Sequence, residues 1–112
     1  MATIAHLDID QGSDFTAEFT LENDDNSPMN LTGFRVYSQF RKSYNSTSAY
    51  SFICTVSNSS AGKIILSLPG VMSSNIKPGR YLYDVEVMSE SNVKTRAVEG
   101  IITLNPEITK IP

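Results

Sequence analysis

Apolar and polar residues alternate one by one through most of this chain, and the longest such stretch is KPGRYLYDVEVMSESNVKTRAVEGIITLNPEIT, residues 77–109. A period of two places successive side chains on opposite faces of an extended backbone, whereas a helix would need apolar residues three and four apart. This segment therefore reads as two long strands joined by the turn SESN, with Tyr81, Tyr83, Val85 and Val87 facing one way and Leu82, Asp84 and Glu86 the other. The same pattern recurs upstream. Phe15, Ala17, Phe19 and Leu21 alternate with Thr16, Glu18 and Thr20, and Phe34, Val36, Ser38 and Phe40 alternate with Arg35, Tyr37, Gln39 and Arg41. Phe52, Cys54 and Val56 mark another strand, as do Ile64, Leu66 and Leu68, and Ala5, Leu7 and Ile9 mark a weaker first one.

Clusters of Gly, Pro, Asn, Asp and Ser separate these runs: DQGSD, ENDDNSPMN, NSTS, SNSSAG, KPG and SESN. Such residues favour turns through positive φ, a fixed φ or side-chain bonds to nearby backbone. PGVMSSNIK is the only stretch with room for a helical turn, and it lies between Pro69-Gly70 and Pro78-Gly79. The expectation is all-β: an immunoglobulin-like antiparallel β-sandwich of about seven strands with at most one short helical turn, in one domain over residues 1–112. A small barrel is the competing architecture. Tyr81 follows the Pro78-Gly79 turn, where sandwiches place a corner tyrosine whose hydroxyl bonds upstream backbone; a plain core tyrosine fits the same position.

Composition narrows the function classes. Nine Lys and Arg stand against twelve Asp and Glu, for a formal net charge of −3, and the basic residues are scattered. Nucleic acid demands a concentrated positive field, so no nucleic-acid partner is expected. No apolar stretch approaches the ~20 residues of a membrane helix, and no membrane partner is expected. MATIAHLDID lacks the basic start and apolar core of a signal peptide, which points to synthesis in a cytoplasm without cleavage. Cys54 is the single cysteine, so neither an intrachain disulfide nor a cysteine zinc cluster can form.

LDIDQGSDFTAEFTLENDDNSPMNLTGFRVYSQFRKSY, GKIILSLP and IKPGRYLYDVEVMSESNVKTRAVEGIITLNPEIT occur in that order, and the stretch they span is nearly the whole chain. The sequence so arranged resembles the small immunoglobulin-like structural proteins of tailed phages, among them the N-terminal domain of phage baseplate upper proteins. That resemblance implies a virion component attached to capsid, neck, tail or baseplate, working by association with other virion proteins or with copies of itself, and not by catalysis. A host-surface or glycan-binding adhesion module is the alternative.

The chemistry-bearing residues point the same way. His6 is the only histidine, and no G-x-S-x-G elbow exists for it to serve as a base. SNIK (74–77) and SNVK (91–94) match S-x-x-K without the companion elements of a serine–lysine hydrolase. Asp8, Asp10 and Asp14, and Glu22, Asp24 and Asp25, are the best candidates for a calcium loop, but neither set has the glycine spacing of a calcium-binding template. No catalytic residue, cofactor or metal is therefore assigned. Tyr37, Tyr44 and Tyr50 offer a small aromatic contact surface. The last strand reads as apolar on both faces, and a second apolar face suits a partner. Val98, Ile102, Leu104, Ile108 and Ile111 are the expected interaction residues, in a segment whose Pro106 and Pro112 halt strand extension.

Overall fold

The computed structural model describes residues 3–109. Nine strands and one short helix follow in chain order: β1 (Thr3–Ile4), β2 (Leu7–Asp10), β3 (Phe15–Thr20), β4 (Arg35–Arg41), β5 (Tyr50–Ser51), β6 (Ile53–Asn58), β7 (Lys63–Leu68), α1 (Gly70–Ser73), β8 (Gly79–Met88) and β9 (Lys94–Asn105). The helical turn falls in PGVMSSNIK, where Pro69 sits at its N-cap. No helix among the described residues is long and apolar enough to cross a membrane.

The strands form two sheets, ordered β1-β9-β8-β4-β5, with β2 also on β9, and β3-β7-β6. In chain order these place the second, fifth and fourth runs together and the seventh, sixth and third together, which is the B-E-D and G-F-C arrangement of an immunoglobulin sandwich. The seven runs of the sequence become nine strands because two of them break. Residues 50–58 change sheets at Phe52: β5 pairs with β4, β6 pairs with β7, and the Phe52 amide bonds the Ser38 carbonyl between them. The first run breaks at Ala5-His6 but keeps one register against β9, Ile4 opposite Glu99 and Leu7 opposite Ile102. That pairing is parallel, whereas every other strand pair is antiparallel. Parallel neighbours need a long connection. Here the connection is the rest of the domain, joining the first strand to the last.

Between the sheets lies one core of Ile9, Leu21, Leu31, Phe40, Phe52, Ile64, Leu66, Leu68, Ile76, Tyr81, Tyr83, Val85, Val87, Val98, Ile102 and Leu104. Phe40 lies tilted against Phe52 at 5.1 Å between ring centroids and meets Tyr81 edge-on at 5.4 Å, filling the place between the sheets. Tyr81 is the corner tyrosine: its hydroxyl donates to the Lys77 carbonyl four residues upstream.

Three of the residues expected to face a partner are in this core. Val98, Ile102 and Leu104 are at most 2% exposed and pack inside the domain, so their side chains are closed to a neighbour. The reason is a bulge. Val85 faces Val98 but Glu86 faces Arg96, so Ala97 is an extra residue in β9. Two adjacent apolar residues, Ala97 and Val98, thus reflect a shift of register rather than a second apolar face. Beyond the bulge the outward positions are Glu99, Ile101 and Thr103, of which only Ile101 is apolar. Ile108 is 94% exposed in the closing tail, and Ile111 lies outside the described residues.

The register of β8 makes a direct test. Val85 is fully buried and Glu86 points outward, so Val85→Ala should cost about 1–3 kcal/mol in lost transfer energy and a residual cavity. Glu86→Ala should change stability by less than ~0.5 kcal/mol. Chemical denaturation of both variants measures the difference, and a larger loss at Glu86 would contradict this register.

Candidate interaction face

The outward side of the larger sheet is built from cross-strand rows. Tyr37, Glu86 and Arg96 lie in one row, Gln39, Asp84, Glu99 and Ile4 in the next, and Arg41, Leu82 and Ile101 in the third. Asp84 directly opposes Glu99, a like-charge pair that would be unfavourable alone. The bulge relieves it by moving Arg96 into reach of both: its Nε lies 3.1 Å from Asp84 Oδ2 and a terminal nitrogen 3.3 Å from Glu99 Oε2. Asp84 nonetheless has its carboxyl held above the usual aspartate range, first by partial burial and then by Glu86, with Arg96 pulling the other way. Hydrogen bonding to Glu99 raises the Arg96 guanidinium further.

Two shallow hollows flank this charged centre. One, of about 420 Å³, is bordered by Ile4, His6, Tyr44, Arg41, Glu99 and Ile101; the other, of about 390 Å³, by Tyr37, Met88 and Lys94. Gln39, Asp84 and Glu86 border both. Ile4, Tyr37, Tyr44 and Ile101 are exposed here, so apolar and aromatic surface borders the paired Asp84, Arg96 and Glu99, while Arg41, Glu86 and Lys94 on the same face make no ion pair among the described residues. Of the three tyrosines expected to form a contact surface, Tyr37 and Tyr44 share this face. Tyr50 instead packs its ring on Phe40 at 5.3 Å, at the margin of the core.

The break in the first strand has its own chemistry. In an unbroken parallel ladder the Ala5 carbonyl would accept from a β9 amide. Here it accepts from the Tyr83 hydroxyl at 2.6 Å, and the Ile101 amide donates to His6 Nδ1 at 3.0 Å. The Ala5 carbonyl reaches Tyr83 only across Gly100, where a Cβ would lie 2.0 Å from the Ala5 oxygen. Gly100 is thus a close-approach glycine, and His6 is a backbone acceptor exposed on the rim of the larger hollow.

Three of the six acids singled out in the sequence, Asp10, Asp14 and Asp25, have structural partners. Asp14 Oδ1 accepts from the Gly70 amide at 2.8 Å, and Asp10 Oδ1 from Asn105 at 3.3 Å. Asp25 Oδ1 accepts from the Ser27 amide and hydroxyl, which holds its carboxyl below the usual range and closes the 22–28 loop on itself. Among the described residues no three His, Cys, Asp or Glu side chains are grouped to hold a metal. Half-buried Cys54 has its thiol pushed up by burial, so it is less of a thiolate than a free cysteine. Gln11, which no motif marks, ties one end of the sandwich together: its Nε2 donates to the Ile76 carbonyl at 3.0 Å and its Oε1 accepts from the Glu107 amide at 3.0 Å.

No protein-family model matches this chain, and no curated protein does. Among solved structures it is similar to the Listeria monocytogenes internalin-like protein lmo2027, with 14% identity and a TM-score of 0.46. The alignment covers 95% of this chain and 28% of that one. A likeness of that degree says nothing about what this chain does.

Burial raises the Tyr83 hydroxyl to about 12. A folded-state value above the unfolded one, near 10, means that this contribution is complete below pH ~10 and is lost as pH rises through about 12. Thermal melts should therefore fall across that window more steeply for the wild type than for Tyr83→Phe. At neutral pH, Tyr83→Phe should cost about 1–3 kcal/mol, because the Ala5 carbonyl loses its partner. Gly100→Ala should be at least as harmful as Tyr83→Phe, since its Cβ would force the Ala5 carbonyl away.

Proposed function

We propose that this chain is a structural subunit of a tailed-phage virion, made in the host cytoplasm and seated on its neighbours through the outer face of the larger sheet and the closing tail. On this reading it is not an enzyme and takes no cofactor, and its partners are other virion proteins. The resemblance of its ordered segments to phage immunoglobulin-like proteins supports the virion assignment. One observation carries the choice of surface: Ile4, Tyr37, Tyr44 and Ile101 are exposed around an Asp84–Arg96–Glu99 cluster that is satisfied internally. Apolar and aromatic groups beside prepaired charges suit an interface, because a partner covers the former without stripping unpaired charge of its water. Ile108, exposed in a tail tethered by Gln11, extends that surface beyond the sheet.

A host-surface or glycan-binding module is the second reading. The larger hollow favours it, since Tyr44 stands there beside Gln39, Asp84 and Arg96, a ring and several hydrogen-bonding groups of the kind sugars use.

Ile101→Asp and Tyr37→Asp change outward side chains and should leave the melting temperature within about 2 °C of the wild type, as expected of surface substitutions. In a particle-reconstitution assay followed by mass spectrometry, each should reduce retention of the chain. Full retention of the double variant would refute this surface. Binding to a glycan array by the wild type, lost in Tyr44→Ala while particle retention is unchanged, would favour the adhesion reading.

A further inference from the structure

The smaller sheet has two edges, and they are finished differently. At β6 the ladder is disturbed by an irregularity between Val56 and Asn58, and the chain crosses to the other sheet at Phe52. Bulges and strand switches of this sort blunt an edge against further pairing. β3 has neither. Its six residues run in unbroken register against β7, contain no proline, and carry one charge, Glu18. The first strand, which could have covered β3, pairs instead with β9 in the other sheet.

The open groups on β3 can be named. The Leu21 amide bonds the Gly62 carbonyl, continuing the β3–β7 ladder, so the odd-numbered residues of β3 exchange bonds with β7. Thr16, Glu18 and Thr20 therefore aim their amides and carbonyls away from the sheet, and among the described residues no backbone group pairs with them. The core-facing side is also incomplete at this edge. Phe15, Ala17 and Phe19 are only half-buried, whereas Ile64, Leu66 and Leu68 on the adjacent strand are at most 1% exposed.

We propose that this edge pairs with β3 of a second copy of the chain, antiparallel about a two-fold axis at Ala17, joining the two smaller sheets into one continuous sheet. An antiparallel strand pair is self-complementary under such an axis. Two symmetric registers centre on this strand. One, centred on Glu18, opposes the two Glu18 carboxylates and is disfavoured. The other sets Ala17 against Ala17, Phe15 beside Phe19 of the second copy, and Thr16 opposite Glu18 of the second copy. It leaves no like charges facing, and it brings the half-buried rings together at close, non-hydrogen-bonded positions. The inference is independent of the virion reading, because it concerns the purified chain alone.

Charge at position 16 reports this register, since Thr16 and Glu18 are both solvent-facing and neither supports the core. In sedimentation equilibrium at low salt, Thr16→Glu should raise the dimer dissociation constant about tenfold by placing carboxylates opposite one another twice, and Thr16→Lys should lower it. The double variant Thr16→Glu/Glu18→Lys should restore the wild-type value or better. In the wild type, amide exchange at Thr16 and Glu18 should slow as concentration rises, while Ala17, already bonded to β7, should change little. A chain that stays monomeric to millimolar concentration overturns the proposal. So does a dimer whose Thr16 and Glu18 amides stay unprotected, or one that is indifferent to the charge at position 16.

Discussion

The pairing of Gly79–Met88 with Lys94–Asn105 is the contact on which the larger sheet depends. Ten residues of one strand meet the other, and each then carries a further neighbour: β4 on β8, and the N-terminal strand on β9. Tyr81, Tyr83, Val85 and Val87 from one strand and Val98, Ile102 and Leu104 from the other form a nearly water-free surface. The smaller sheet closes over that surface with Ile64, Leu66 and Leu68. Core burial of this kind is the dominant favourable term in folding. The rest of the chain chiefly decides how the ribbon is flanked and sealed.

Sealing falls to polar groups that do little for burial. Tyr81 and Tyr83 each bury a ring in the core and send a hydroxyl to a backbone carbonyl that the ladders leave free, Lys77 in one case and Ala5 in the other. Asp14, Ser73 and Gln11 tie the β2–β3 turn to the helical turn: Ser73 Oγ accepts from the Gly12 amide at 2.9 Å, and Gln11 also takes in the tail. A buried carbonyl or amide without a partner costs about 1–3 kcal/mol, so these bonds matter most by preventing that loss. The acidic turn at Asp10 and Asp14, which lacks the glycine spacing of a calcium loop, is thus occupied with closing one end of the sandwich.

The alternation rule placed the side chains of β3, β4, β6, β7 and β8 on their observed faces, because each of those strands keeps an even register along the residues that matter. It misread β9, where one inserted residue moves Arg96 outward and leaves Ala97 and Val98 adjacent in sequence. A bulge is set by the partner strand and by the charges it must reconcile, here Asp84, Glu86 and Glu99, and those neighbours are invisible in a linear pattern. The parallel seating of the first strand was hidden for a similar reason, since nothing local in TIAHLDID encodes which way its neighbour runs. Gly100 offered the one signal available: a glycine inside a strand marks close backbone approach. What approaches it, the Ala5 carbonyl, lies far away in the chain.

The same parallel seating has a consequence at the opposite side of the molecule. One N-terminal strand can complete only one sheet, and by joining β9 it lengthens the larger sheet and leaves β3 as the margin of the smaller one. The larger sheet ends in short strands, β1 and β2 of two and four residues with a break between them on one side and β5 of two residues on the other, which offer less unbroken edge for another chain to pair with. β3 offers six. The fold therefore separates two kinds of surface. The broad outer face of the larger sheet presents side chains around prepaired charges, and β3 presents backbone. Side-chain faces accept partners of many shapes, whereas a backbone edge accepts only an extended strand in register, so the two surfaces can be occupied at once without competing.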